Sequence, residues 1–180
     1  MKILKSVIPL MIIFCVIASL FSGCGLIKRL DKDEEQNFTY CELGGSIAFP
    51  EGFAPKGTKN TLETTLLDST LCGSFTQVPA SKSTDYFYPL SDTLTITANG
   101  TTDGVLEQFR ISLWKYTEAG TQWVETLYFR TNGETATGAF SGLDPNSRYR
   151  ISVAFSGATT SCTGSFNASP ISMQAPAAAG

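Results

Sequence analysis

A chain of 180 residues and 19.3 kDa suits one domain plus a targeting segment. It contains no histidine, so the commonest general base and the commonest metal ligand are missing, and with them Ser–His, Cys–His and most catalytic zinc constellations. The net charge is −3, and loss of residues 1–23 with Lys2 and Lys5 leaves 11 basic against 16 acidic residues; this balance predicts no basic face for nucleic acid.

Lys2 and Lys5 form a short positive head, and Val7 to Leu20 follow as an uncharged apolar run. This is the layout of a signal peptide, although a membrane-spanning helix of roughly 20 apolar residues is the competing reading. Leu20-Phe21-Ser22-Gly23-Cys24 decides between them. This stretch resembles the lipobox of bacterial lipoproteins, with small residues at Ser22 and Gly23 before the modified cysteine and Phe21 in place of the usual aliphatic residue. The resemblance implies that Leu20 to Gly23 are read by signal peptidase II and that Cys24 carries a diacylglycerol. Two or more acyl chains, at roughly 0.8 kcal/mol per buried methylene, would hold the protein on a membrane. Cys15 would leave with the peptide. Residues 24–37, dense in both charges after Gly25, read as a solvated tether, with a short amphipathic helix as the alternative.

Short apolar runs separated by turn residues, rich in Gly, Ser and Thr, then give the texture of an all-β domain. In residues 38–84 two or three extra strands are expected around Ser46-Ile47-Ala48-Phe49 and Leu62, Leu66, Leu67 and Leu71, although the Leu62–Leu66 spacing also fits one helical turn. Thr93 to Ala98 alternates strictly, with Leu94, Ile96 and Ala98 on one face. Phe109 to Tyr116 and Gln122 to Arg130, joined through Glu118-Ala119-Gly120-Thr121, form a hairpin.

Phe140, Leu143, Pro145, Tyr149, Ile151 and Val153 follow at one spacing. It resembles the E–F region of fibronectin type III domains. The resemblance covers residues 85–172 and implies an immunoglobulin-like β-sandwich. Leu143 would plug its end, Pro145 would stiffen a turn, and Tyr149 would be a tyrosine corner bonded to upstream backbone. The family's strand-B tryptophan is replaced by Leu94, Ile96 and Ala98, so Trp114 on strand C is a candidate to fill that part of the core. Residues 173–180 read as a flexible tail.

Cys41, Cys72 and Cys162 remain in the mature domain. Export permits a disulfide, and Cys72 with Cys162 is the favoured pair because each introduces a similar strand, Cys-Gly-Ser-Phe and Cys-Thr-Gly-Ser-Phe. Cys41 with Cys72 and three free thiols are the alternatives. Trp114, Tyr116, Trp123 and Tyr128 sit on the hairpin. Alternation places Trp114 and Tyr116 opposite Ile111 and Leu113, where they could stack on sugar rings or dock a protein; a bulge at Leu113–Trp114 would instead turn the Trp inward. Asp103, Glu107, Glu118, Glu125 and Glu134 show no spacing suited to acid–base work or calcium.

The expected function is that of a non-enzymatic lipoprotein, without metal or cofactor, acting as a binding, adhesion or spacer module outside the cytoplasm. Its partners would be the membrane and a protein or glycan ligand. Carbohydrate binding beside a surface enzyme is the alternative, and a carboxylate-based hydrolase stands behind it. In the native host, Cys24→Ala should abolish fatty-acid labelling and yield soluble or unprocessed protein; full labelling of the variant would contradict the lipobox.

Overall fold

Strict two-residue alternation over short segments cannot bury an apolar stripe on a helix, so each segment must pair edgewise and turn one face inward. The computed structural model describes residues 40–105, 107–155 and 160–176, and every regular element in it is a strand. Leu20, Phe21, Ser22, Gly23, Cys24, the tether and residues 177–180 lie outside the described residues.

Two antiparallel sheets face each other. The larger is built from β1 (Glu42–Leu43), β2 (Thr61–Leu67), β3 (Thr70–Val78), β6 (Leu94–Thr102), β9 (Ala136–Phe140) and β11 (Cys162–Ser169), in the order β1-β9-β6-β11-β3-β2. The smaller contains β4 (Ser81–Ser83), β7 (Gln108–Thr117), β8 (Gly120–Arg130) and β10 (Tyr149–Phe155), in the order β4-β10-β7-β8. A short pair, β5 (Tyr88–Pro89) with β12 (Ile171–Ser172), closes one side.

This is an immunoglobulin-like sandwich with extra N-terminal strands. One connection departs from the immunoglobulin plan, in which the last strand flanks strand F. Here β4 occupies that place beside β10, and β11 crosses to lie between β6 and β3. The N-terminal strands are therefore integral: Leu71, Phe75 and Val78 of β3 are core residues. Leu62 and Leu66 belong to a strand, in which a four-residue spacing also shares one face, and Leu62 packs against the core.

The interior is dominated by phenylalanine. Phe75, Phe109, Phe129, Phe140 and Phe166 are buried between the sheets with Leu94, Ile96, Ile111, Leu113, Ile151 and Val153. Phe109 stacks on Phe129 with centroids 5.2 Å apart and meets Phe75 at 5.4 Å across the sheets. Each such side chain contributes roughly 2–3 kcal/mol by leaving water. Trp114 does not join them. Phe109, Ile111 and Leu113 fill the inward positions of β7, so the alternation leaves Trp114 on the outside, half-buried.

The favoured disulfide does not form. β3 and β11 are neighbours, as the similarity of their sequences suggested, but antiparallel register sets Cys72 opposite Asn167 and Cys162 opposite Val78. Six residues of strand separate positions 72 and 78, about 20 Å at ~3.4 Å each, far beyond the ~7 Å that a bridge can span between Cα atoms. Cys41 packs against Gly138 of β9, two strands removed from β3, and all three thiols are free. The repeated Gly-Ser-Phe has another role. Gly73 lies opposite Phe166 and Gly164 opposite Phe75, pivoting on Ser74 and Ser165. A Cβ on Gly73 would stand 2.2 Å from the Phe166 ring, and one on Gly164 would stand 2.6 Å from the Phe75 ring. Each glycine leaves room for the other strand's phenylalanine.

At one end of the sandwich, Asp144-Pro145-Asn146-Ser147 makes a turn with the Ser147 N–H donating to the Asp144 carbonyl at 3.0 Å. The Asp144 carboxylate accepts from the Ser147 hydroxyl at 2.7 Å and from the Asn146 N–H at 3.0 Å. Those bonds, with Lys115 nearby, hold its pKa below the ordinary value. Leu143 is buried beneath, and the Asp144 N–H donates to the Tyr149 hydroxyl oxygen at 3.1 Å, the contact expected of a tyrosine corner.

Two outcomes follow for stability. Tyr149→Phe removes the acceptor for the Asp144 amide and should lower unfolding stability by about 1 kcal/mol in a denaturant titration; no change would mean that this bond contributes nothing. Burial pushes the Cys162 thiol up to about 12 and the Cys41 thiol up to about 11. Both stay protonated in the fold while unfolded thiols ionise near 9, so this stabilisation is whole below pH 9 and is lost as pH rises toward 11–12. Cys162→Ala should flatten part of that alkaline loss in thermal melts across pH 8–11, and a profile parallel to the parent's would contradict the assignment.

Candidate functional site

The two outer faces of the sandwich differ. On the six-stranded sheet, the segment between β1 and β2 folds back over the strands. The Ala48 N–H donates to Asn167 Oδ1 at 2.7 Å, and Asn167 Nδ2 donates to the Ala48 carbonyl at 2.9 Å. Cys72, directly opposite Asn167 on that face, is fully buried. Among the described residues no such segment covers the outer face of the four-stranded sheet, and the candidate aromatics gather there.

Register fixes that face. On β7 the outward positions are Arg110, Ser112, Trp114 and Tyr116; across from them lie Tyr128, Thr126, Trp123 and Thr121 of β8. Arg150 and Ser152 of β10 stand opposite Trp114 and Ser112 on the other side. Simple alternation along β8 would send Trp123 inward with Glu125 and Leu127. A bulge between Leu113 and Trp114 inserts Val124 as an unpaired residue and brings Trp123 to the outer face, opposite Trp114. The bulge is where the sequence suggested one, but it lies on β8 and reorients Trp123, leaving Trp114 outward.

The platform is fixed by polar contacts. Trp123 Nε1 donates to Thr126 Oγ1 at 3.0 Å, and the Thr126 hydroxyl pairs with that of Ser112 at 2.8 Å. Despite this anchoring, Trp123 is 56% exposed and Tyr116 41% exposed; Trp114 and Tyr128 are half-buried. Three contributors were not legible in the sequence. Tyr86 comes from the link after β4 and meets Tyr116 edge to face at 5.6 Å. The Arg148 guanidinium lies 4.1 Å from the Tyr116 centroid and 5.8 Å from that of Tyr86, and Arg150 lies 5.4 Å from Tyr86. Only the β10–β7 pairing, with the Tyr116 N–H donating to the Arg148 carbonyl at 2.8 Å, brings these groups together.

A cleft of about 400 Å³ opens elsewhere, lined by Tyr40, Cys41, Leu43, Arg130, Asn132, Glu134 and Ala136. Its thiol is the Cys41 group raised by burial, a weak nucleophile. Arg130 covers the Tyr40 ring at 4.7 Å. Among the described residues, no three of His, Cys, Asp and Glu come together as a metal site would require.

No family model matches the chain, and no curated protein matches it. Among solved structures it is similar to one described as "CBM4 structure and function", at 10% identity and a TM-score of 0.37, covering 63% of this chain and 78% of that one. It is also similar to the Glycosylation Associate Protein (Gap123) complex from Streptococcus agalactiae, at 10% identity and a TM-score of 0.32, covering 73% of this chain but 44% of that one.

Proposed function

We propose that this protein is a non-enzymatic binding module, a lipoprotein held on a membrane through Cys24, and that the outer face of its four-stranded sheet docks the ring faces of a glycan. The sandwich itself reads as fibronectin type III-like over residues 85–172, a reading supported by the Asp144–Tyr149 corner. One observation carries the binding assignment: Trp123 is held by Thr126 and yet leaves more than half of its surface in water. A pure spacer would cover or dispense with such a ring. Leaving rigid indole and phenol surfaces in solvent forgoes the hydrophobic gain of burial, and an exposed apolar patch rimmed by polar residues is the usual mark of an interaction site.

Sugar rings suit this surface because their C–H faces can lie flat on aromatic planes while Thr121, exposed near the hairpin tip, is placed for a hydrogen bond. Aromatic side chains with few rotatable bonds lose little entropy on contact. Detergent-solubilised full-length protein should give signals on a glycan array, and Trp123→Ala should weaken them roughly tenfold or more with the melting temperature nearly unchanged. An array without signal from folded protein would overturn the proposal.

A further inference from the structure

Building on the sugar-docking reading, we infer that the ligand is an acidic polysaccharide, one whose rings carry carboxylate or sulfate groups. The chain as a whole is acidic and its charge balance predicts no basic face, but its arginines are sorted onto one face of the sandwich. All four arginines between residues 40 and 176 are Arg110, Arg130, Arg148 and Arg150. Arg110, Arg130 and Arg150 hold outward register positions on the four-stranded sheet, and Arg148 stacks on the outward Tyr116. The outward positions of β7, β8 and β10 hold no aspartate or glutamate. Among the described residues the one ion pair is Lys115 with Asp144, 4.0 Å apart at the end of the sandwich. None of the four guanidinium groups is neutralised by a carboxylate of the described chain.

The geometry also orients that charge. Arg148 lies over Tyr116 and beside Tyr86, and Arg150 lies beside Tyr86, so ring contacts hold both guanidinium groups. A planar fork of donors matches a carboxylate or sulfate two bonds at a time. Across the sheet one row reads Arg150, Trp114, Trp123, which sets an anion-binding group beside two ring-stacking ones. An acidic peptide would satisfy the arginines but has no regular succession of rings for the indoles.

The test compares full-length protein in detergent with four polymers: polygalacturonate, heparin, fully methyl-esterified polygalacturonate, which keeps the sugar and loses the charge, and polyglutamate, which keeps the charge and loses the sugar. The inference expects binding to at least one acidic sugar polymer, at least about tenfold weaker binding to the ester and to polyglutamate, and a loss of affinity as NaCl rises. Arg148→Gln and Arg150→Gln should each reduce acidic-polymer binding about tenfold, and Arg150→Lys, which keeps the charge but not the fork, should recover only part of it. Equal binding to the ester and the acid would overturn the inference and leave sugar docking standing. Polyglutamate binding as strong as that of the acidic sugars would overturn it in favour of a peptide partner. No binding to any sugar polymer, together with a blank glycan array, would overturn both. Melting temperatures of the three variants separate lost contacts from lost folding.

Discussion

Two twisted sheets can remain a molecule only if side chains fill the roughly 10 Å between them without voids, and here phenylalanine meets that demand. Phe75 and Phe166 reach inward from adjacent strands, each over a glycine of the other, and Phe109 and Phe129 stack beneath from the opposing sheet. The reciprocal Gly–Phe arrangement sets the depth of β3 and β11 and draws the N-terminal strands into the main core. Everything placed on the outside depends on this filling, because it decides which residue of each alternating pair is left over.

The aromatic side chains are sorted accordingly. Phenylalanine has no polar atom to satisfy and, apart from Phe49 and Phe53 stacked on each other between β1 and β2, is buried among the described residues, whereas tryptophan and tyrosine carry an N–H or O–H that favours a partly wet position. Both tryptophans and Tyr86, Tyr116 and Tyr128 are outside the core. Tyr149 is the exception; its hydroxyl accepts from the Asp144 amide and its ring closes the sandwich end. Arginine completes the sorting by laying its guanidinium on exposed rings, where it keeps its charge hydrated on one side while packing on the other.

Much of this was legible where the signal is local. The alternation of Leu94, Ile96 and Ala98, that of Phe109, Ile111 and Leu113, and the spacing from Phe140 to Val153 each identify a strand and its buried face. Pairing over long sequence distances was not legible. The kinship of Cys72-Gly73-Ser74-Phe75 with residues 162–166 pointed rightly to adjacency, but the antiparallel sense turns a resemblance between cysteines into a pairing of glycines with phenylalanines. Nothing local marks Tyr86 or Arg148 as neighbours of Tyr116, because the contact exists only once β10 lies against β7. The signal for the arginine face was nonetheless present in the sequence: Arg148 and Arg150 alternate with the inward Tyr149 and Ile151.

Val124 has a consequence for how this surface could change over time. It is a surplus residue beside an otherwise continuous ladder: Glu125 lies opposite Leu113 and Trp123 opposite Trp114, so the pairing with β7, and not a count along β8, fixes the face on which the indole lies. Loss of its codon would close the ladder with Trp123 still opposite Trp114, leaving the indole outside and removing only the Val124 side chain from the edge of the core. Lineages of this domain could thus gain or lose one residue here without silencing the platform, while changes at Trp123 itself decide what it holds.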